Sequence, residues 1–302
     1  MNSLLVKNTI LQVHAPNYIG RYFRSTIKNE IHLQGITLHR GTQAKVRILP
    51  APSHQGIIFR NAKTKEEIPA NVENVKHTQN AVVLSNGNWQ VSTVEHLLAA
   101  LATLGITDLI VELEGEEIPI LDGSSIEFFE IMSSVGVMEY KDSPITPIKL
   151  TNPVWVVSND KYIIAVPSDE FKVTYTIHYE HPDLRGKSLS ISLNSEVMKK
   201  EILPARTFGF LKDVELLKKK GLIRGASLEN AVVLTEDGYL NQLRFSNECI
   251  RHKILDLVGD LYLLNRPLIA HIIAFKTGHT LDIALAKNIY HTLKSKEEYL
   301  YY

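Results

Sequence analysis

The amino-acid sequence predicts an α+β protein built from two related domains that face one another. The chain has 302 residues, a length that suits two domains of ordinary size. Strand patterns precede helix patterns in each half, and this order starts again after the Pro-containing segment 141–147. The helix pattern around His96 also resembles the one around His252, which suggests a duplication.

The composition is that of a globular protein with a sizeable core, since 44% of the residues are hydrophobic and only 22% are charged. Lys and Arg together number 33, as do Asp and Glu, so the chain lacks the basic surplus of a nucleic-acid-binding protein. Cys249 is the single cysteine, which fits a reducing cytoplasm and leaves His, Asp and Glu as candidate metal ligands. No uncharged apolar run reaches the roughly 18 residues of a membrane span.

The sequence divides into an N-terminal extension at 1–24, a first domain at 25–140, a linker at 141–147 and a second domain at 148–302. The extension contains no Asp or Glu, which gives it a weak similarity to an organellar transit sequence. However, residues 18–22 do not have the small-residue pattern of a cleavage site, so we favour a plain extension.

In the first domain, alternating apolar and polar residues predict strands at 25–50 and 80–91. The next segment has the pattern of a capping box, with Ser92 as the N-cap and Glu95 at the third helical position. This helix stops at Gly105, because glycine readily adopts the left-handed conformation of a helix end. The remaining predicted elements are a strand at 109–113 and a helix at 126–135.

In the second domain, the patterns predict strands near 149–157, 161–166, 171–179 and 269–275. Helices are predicted near 212–220, at 248–264 and from about residue 281 onward. The helix at 248–264 ends before Pro267, because proline disfavours the helical conformation in the residue that precedes it.

The helix at 248–264 carries His252, Asp256 and Asp260 on one face, because each lies four residues from the next. A His and an Asp with this spacing can hold one metal ion. For this pair alone, a solvated face with a weak ion pair is the simpler explanation. Glu95 and His96 in the other helix have similar alternatives, a helix cap for Glu95 and a hydrogen-bonded histidine for His96.

Three further segments are candidates for chemistry. His279 lies between a strand and the last helix, a common place for a catalytic side chain, although a turn histidine is the simpler explanation. The segment at 206–210 combines a cation, a hydroxyl and two aromatic rings, and it could also be a buried loop anchor. His39 lies in a Gly-bounded hairpin turn at 35–41.

The order of these motifs resembles that of the UDP-3-O-acyl-N-acetylglucosamine deacetylases, the zinc enzymes of the committed step of lipid A synthesis. The resemblance covers residues from about 25 to 290, and it is specific because all the motifs agree in order and rough spacing. The matching stretches are GITLHRG at 35–41, STVEHLLAAL at 92–101, IPILDGS at 118–124, ARTFGF at 205–210, RHKILDLVGD at 251–260 and KTGH at 276–279.

The resemblance implies two similar α/β sandwich domains with helices packed between two outer sheets. It also implies one Zn²⁺ per chain, which lies between the domains and is held by His96, His252 and Asp256. These three ligands leave a fourth position open, as catalytic zinc requires.

The resemblance further implies how the reaction is divided among side chains. Glu95 would be the general base, and the Thr207 hydroxyl would help to stabilise the oxyanion. His279 would protonate the leaving amine, and Asp260 would orient His279 and keep it charged. Lys253 would act both in catalysis and in substrate binding.

Other side chains are implied in substrate binding only. These are Lys276, Phe208, Phe210 and His39. An insert near 205–232 would form a passage for the acyl chain, with Leu216, Leu217 and Leu222 in its wall. The turn around His39 departs from the expected family pattern at Thr37, where glycine is expected, and at Arg40.

The expected partner is a UDP-linked acylated amino sugar, with no nucleic acid and at most peripheral membrane contact. A monomer in the cytoplasm of a Gram-negative-type bacterium is expected. Two alternatives stay open from the residues: a zinc amidohydrolase acting on another acylated sugar or amide, and a non-catalytic binding module in which the His and Asp residues are structural.

Overall fold

The computed structural model describes residues 16–299, with side chains described up to residue 294. Most of the predicted N-terminal extension, with any transit sequence, lies outside the described residues. The end of the extension belongs to the fold, however, because Tyr18 and Ile19 are buried in the core. The extension predicted at 1–24 therefore reaches too far into the folded chain.

Strands and helices occur in both halves of the chain. The strands of the first half are β1 (Phe23–Ile27), β2 (Ile31–Ile36), β3 (Gln43–Pro50), β4 (Ile57–Asn61), β5 (Glu67–Pro69), β6 (Val75–His77), β7 (Val83–Ser85), β8 (Gln90–Ser92), β9 (Leu109–Glu114) and β10 (Val137–Pro144). Its helices are α1 (Glu95–Leu104) and α2 (Ile126–Ser134), with a 3₁₀ turn at Val72–Asn74.

The second half follows the same plan. Its strands are β11 (Ile148–Lys149), β12 (Val154–Ser158), β13 (Lys161–Val166), β14 (Lys172–Ile177), β15 (Lys187–Ser192), β16 (Phe208–Phe210), β17 (Val232–Leu234), β18 (Leu268–Ile269) and β19 (His271–Phe275). Its helices are α3 (Ser195–Val197), which continues into a π-helical turn at Met198–Ile202, α4 (Val214–Lys219) after a 3₁₀ turn at Leu211–Asp213, α5 (Glu248–Tyr262) and α6 (His279–Tyr299).

The two halves contain five-stranded sheets of the same topology. The strand order is β2-β3-β9-β4-β5 in the first half and β12-β13-β19-β14-β15 in the second. In both sheets the third and fourth strands run parallel, and all other neighbours run antiparallel. This equivalence confirms two similar α+β domains, whereas a duplication as their origin stays a prediction.

Smaller pairings connect the segments around these sheets. Strand β10 pairs with β1 as far as Pro144, opposite Phe23, so the linker predicted at 141–147 begins inside a strand. The connection between β10 and β11 is therefore only 145–147. The parallel pair β16 and β17 joins the two ends of the insert predicted near 205–232.

Alternating burial along the strands gives each main sheet an inner face. In β14, Val173, Tyr175 and Ile177 are buried, whereas the residues between them are half-buried. Their direct neighbours Ile272 and Ala274 on β19 are buried as well. This inner face packs against α5, which places the strand ends next to the residues of that helix.

Helices α1 and α5 pack against each other in the interior. Every residue of α1 is buried, including its polar ones, as in a helix surrounded by protein on all sides. The two helices approach closely at Gly259, where an added Cβ would lie 2.1 Å from the Glu95 carbonyl oxygen. Helices α5 and α6 pack on the second sheet. Buried residues of α1, α5, α6 and both main sheets belong to one continuous core.

Within residues 16–299, none of the helices combines the length and the apolar character that a membrane-spanning segment requires.

Candidate active site

Three predicted metal ligands come together where α1 packs against α5. His96 is the second residue of α1, and His252 and Asp256 lie one turn apart on α5. Their ligand atoms all lie within 4.8 Å of one another, and all three residues are buried. The Nε2 atoms of His252 and His96 lie 3.3 and 3.7 Å from Asp256 Oδ1. The two halves of the chain thus form one group that could hold a metal ion.

The protonation states of these residues suit a metal ion. Burial lowers the pKa of His96 to about 3 and also lowers the pKa of His252, so both imidazoles are neutral near pH 7. His252 Nδ1 lies 3.0 Å from the Ala205 carbonyl oxygen, and donation of an Nδ1–H there leaves Nε2 free to bind a metal. Although burial opposes it, His252 and Lys253 hold the pKa of Asp256 well below its usual range. Two imidazoles and one carboxylate suit zinc.

Lys253 is tied to the metal-ligand group. Its Nζ lies 2.5 Å from Asp256 Oδ2, and only 12% of its side chain is exposed. This contact occupies one carboxylate oxygen and leaves Oδ1 facing the two histidines. The roles predicted for Lys253 in catalysis and substrate binding stay predictions, and the structure shows its contact with Asp256.

Glu95 and His279 face each other. Glu95 Oε1 lies 3.6 Å from His279 Nε2, and Glu95 Oε2 accepts a hydrogen bond from the Val82 N–H at 3.2 Å. Burial raises the pKa of Glu95 to about 7, partly opposed by His279, and this value suits a general base. Burial alone would lower the pKa of His279, but Asp260 and Glu95 raise it to about 10. The predicted contact of His279 with Asp260 is present, since Nδ1 and Oδ2 lie 2.8 Å apart.

The turn before α1 explains how Glu95 reaches the site. The predicted capping box is wrong, because α1 begins at Glu95 itself and Ser92 ends β8. The Ser92 hydroxyl donates to the Glu116 carbonyl oxygen instead, and Thr93 turns the chain with a left-handed φ of 59°. The Glu95 carboxylate therefore caps no helix and faces His279.

Thr207 is held between the two halves of the chain. Its N–H donates to the Gly123 carbonyl oxygen, and its own carbonyl oxygen accepts from the Val232 N–H, both at 2.8 Å. Thr207 and His39 line a cavity of about 180 Å³. Most of the cavity wall is apolar, and its larger side chains include Leu38, Phe208, Phe210, Val214, Leu217, Leu222, Ile223 and Val233.

Four of the residues predicted to line a passage for an acyl chain lie in the wall of this cavity, and the passage itself stays a prediction. Phe208, Phe210, Leu217 and Leu222 line the cavity. The prediction for Leu216 is wrong, because this side chain is 54% exposed and does not line the cavity. Neighbouring residues of a helix point about 100° apart, and in α4 Leu217 faces the cavity whereas Leu216 faces solvent.

Two other residues predicted to contact the substrate, His39 and Lys276, lie in different surroundings. His39 lines the cavity, and neither of its ring nitrogens has a hydrogen-bond partner among the residues that the structure describes. Lys276 follows β19 and forms an ion pair with Asp160 at the surface. Any contact of Lys276 with substrate stays a prediction.

Sequence reasoning missed several groups that shape the site. The Ala205 carbonyl orients His252, and the Val82 N–H holds Glu95, but backbone groups leave no side-chain pattern to find. Asp282 is fully buried on α6, one turn after His279. Its spacing from His279 was the signal that could have identified it, because residues three apart share a helix face.

The fold and the site define an α+β protein in which two buried histidines and an aspartate could hold a metal ion beside a facing glutamate and histidine. Metal-dependent hydrolases have sites of this kind. The model of the UDP-3-O-acyl N-acetylglycosamine deacetylase family matches residues 24–291, and the chain belongs to this family.

Relatives named UDP-3-O-acyl-N-acetylglucosamine deacetylase match most of the chain. The protein of Leptospira biflexa serovar Patoc is 52% identical over 88% of this chain and 89% of its own length. The protein of Myxococcus xanthus is 43% identical over 89% of this chain and 86% of its own length. The protein of Chlamydia pneumoniae is 40% identical over 89% of this chain and 97% of its own length.

Proposed function

We propose that this protein is a zinc-dependent amidohydrolase that removes the acetyl group of UDP-3-O-[(R)-3-hydroxyacyl]-N-acetylglucosamine. The products would be UDP-3-O-acyl-glucosamine and acetate, and the reaction would be the committed step of lipid A biosynthesis. The observation that carries this proposal is the His96, His252 and Asp256 group with Glu95 and His279 facing each other, in a chain of this family.

In the proposed mechanism, Glu95 and His279 exchange protons with the reactants. One Zn²⁺ per chain would polarise the acetamide carbonyl and lower the pKa of nearby water. Glu95 accepts the proton of the attacking water, and the Thr207 hydroxyl donates a hydrogen bond to the oxyanion. His279 then donates its proton to the leaving amine, and Asp260 holds the imidazolium in place.

The cavity beside Thr207 supports an acylated substrate. Its wall is largely apolar, so an acyl chain that enters it exchanges water for mostly apolar contacts. His39 lies in the same wall, and within the described part of the chain its ring nitrogens lack a hydrogen-bond partner of good geometry, which supports a hydrogen bond to a polar substrate group. We assign Lys253 to the sugar side of the substrate. We assign Lys276 to the diphosphate, which its ammonium group would bind as a point charge in place of Asp160.

The proposed site belongs to a single chain, which supports an active monomer. The single cysteine, Cys249, is buried and unpaired, which supports a reducing cytoplasm as the location, in a bacterium of the Gram-negative type.

The direct test is release of acetate from UDP-3-O-acyl-N-acetylglucosamine by the purified protein. We expect activity that a chelator removes and that added Zn²⁺ restores. Release of acetate that is unaffected by complete metal removal would contradict the zinc proposal. Turnover of a different acylated amide alone would point to another amidohydrolase, and a protein with neither turnover nor tightly bound zinc would point to a binding module.

A Glu95→Gln variant separates catalysis from metal binding. The amide keeps the shape of the side chain but cannot accept the proton, so turnover should fall by about 10²–10⁴-fold. The metal content should stay that of the wild type, because Glu95 is not one of the three ligands. Full activity in this variant would rule out Glu95 as the base.

A further inference from the structure

A buried ion pair lies behind the candidate active site, between the segment 205–207 and the first residue of α5. The Glu248 side chain is fully buried, and the Arg206 side chain is 8% exposed. Arg206 Nε and Nη2 lie 2.9 and 3.2 Å from the two carboxylate oxygens of Glu248. The same carboxylate accepts the backbone N–H groups of Arg206 at 3.0 Å and Arg244 at 2.6 Å. Four N–H groups therefore surround this buried charge.

The segment that Glu248 holds carries two groups of the site. The Ala205 carbonyl oxygen accepts from His252 Nδ1 at 3.0 Å, and Thr207 lines the cavity. Arg206 lies between them, and its backbone N–H is bonded to Glu248. A displacement of Arg206 would therefore move the groups on both sides of it, because neighbouring peptide planes share Cα atoms.

The ion pair is also connected to the first half of the chain. Arg244 Nη1 donates to Asp122 Oδ2 at 2.7 Å and to the Pro204 carbonyl oxygen at 2.9 Å. The next residue after Asp122, Gly123, accepts the Thr207 N–H. Gly123 has a left-handed φ of 84°, and a Cβ there would lie 1.8 Å from the Asn230 carbonyl oxygen. The segment 205–207 is thus held from several sides.

We propose that Glu248 and Arg206 are positioning residues that fix the Ala205 carbonyl for His252 and the Thr207 hydroxyl for the oxyanion. The inference rests on the proposed function for its catalytic part, whereas its metal-binding part does not depend on the substrate. A buried ion pair adds little net stability compared with apolar residues of the same size. We therefore explain the ion pair by its effect on the positions of Ala205 and Thr207 rather than by a gain in stability.

A Glu248→Gln variant tests the proposal. The amide cannot accept all four N–H groups and brings an NH₂ group of its own against them, so the segment 205–207 should shift. We expect zinc affinity, measured by competition with a chromogenic chelator, to fall about 10–100-fold, the usual effect of losing a metal-ligand partner. We also expect kcat to fall with little change in KM.

An Asp108→Asn variant provides the matched control. Asp108 is a fully buried carboxylate that binds Arg24 through two hydrogen bonds of 2.9 and 2.6 Å, and it contacts none of the site residues. Like Glu248→Gln, this variant loses a buried charge pair, so its melting temperature should be below that of the wild type. Its zinc affinity and kcat should be unchanged. Wild-type zinc affinity and kcat in folded Glu248→Gln would overturn the proposal.

A conservative variant and a double-mutant cycle complete the test. Arg206→Lys keeps the charge and the backbone N–H but loses the two parallel hydrogen bonds of the guanidinium group. It therefore tests the proposal even if Glu248→Gln does not fold, and we expect a smaller loss of zinc affinity than in Glu248→Gln.

Thr207→Val and Glu248→Gln should have non-additive effects on kcat, because both act through the same hydroxyl. Purely additive effects would contradict the action through Thr207. If the wild type releases no acetate, the proposed function fails, while the zinc affinities still decide the role of Glu248.

Discussion

At the scale of single residues, His96 and His279 illustrate how one side-chain type acquires opposite charge states in the same protein. Both are buried, and burial alone lowers the pKa of both imidazoles. His279 has Asp260 at hydrogen-bond distance and Glu95 opposite, which outweigh burial. The carboxylate near His96 is Asp256, at 3.7 Å, and Lys253 already neutralises it. His96 is therefore neutral as a ligand needs, and His279 is protonated as a general acid needs.

Replacement of Asp260 by Asn should weaken His279 as an acid. Without the carboxylate, burial is opposed mainly by Glu95, so the pKa of His279 should fall from about 10. The alkaline limb of the kcat/KM profile, where His279 loses its proton, should then move to lower pH. An unchanged alkaline limb would show that another group titrates there. Glu73→Gln is the control, because Glu73 is an exposed carboxylate bonded to Tyr290 and Lys294.

Replacement of Asp282 by Asn should stabilise the protein, most strongly above neutral pH. Burial, with help from Asp260, raises the pKa of Asp282 from 3.8 to about 7. The folded state therefore binds this proton more tightly, and stability is lost as the pH rises from 3.8 through 7. We expect Asp282→Asn to gain about 2–4 kcal/mol in the free energy of unfolding at pH 8 and little at pH 4. Urea titrations at both pH values measure this, and an equal effect at the two would contradict it.

At the scale of elements, the starts and ends of helices decide which side chains reach the site. The sequence predicted the end of α1 at Gly105 correctly, because the left-handed residue that ends a helix has a local signature. It misplaced the start of α1, because β8 pairing continues through Ser92 and only the tertiary structure shows that pairing. The predicted strand at 269–275 is likewise two strands, since β18 pairs with β11 and β19 joins the main sheet.

Replacement of Gly259 by Ala should separate α1 from α5. An added Cβ would lie 2.1 Å from the Glu95 carbonyl oxygen, so the helices must move apart, at a cost of roughly 1–3 kcal/mol. The same movement would draw His96 away from His252, so zinc affinity should fall together with the melting temperature. Gly238→Ala is the control, because its Cβ would meet nothing closer than 3.8 Å. Unchanged zinc affinity in Gly259→Ala would contradict this account.

At the scale of the whole molecule, two halves of equal topology place the metal-ligand group between them. Helix α1 of the first half packs against α5 of the second, and α5 and α6 pack on the second sheet. His96 comes from one half, and His252 and Asp256 come from the other. A metal ion bound there would link the halves, so metal binding and stability should be coupled.

Removal of the metal should therefore lower the melting temperature. A ligand that binds only the folded state adds about 4 kcal/mol of stability at a concentration of 1,000 times its Kd. For a chain of this size, we expect a fall on the order of 10 °C on dialysis against a chelator, reversed by Zn²⁺. His96→Ala should lose most of this response. If neither the chelator nor added Zn²⁺ changed the melting temperature of the wild type, the protein would hold no resident metal.

The α+β class and most helices and strands could be predicted from the sequence alone, and the order of the motifs pointed to His96, His252 and Asp256, which the structure brings together. These are properties of local periodicity or of residue identity, which can be read along the chain. Three features of the site became visible only in the folded chain: Lys253 binds Asp256, Leu216 faces outward and the Ala205 carbonyl oxygen accepts from His252. They could not be predicted, because hydrogen-bond partners, burial and pKa values depend on groups that are far apart in sequence. Glu95 depends in this way on His279, which lies at the start of the last helix.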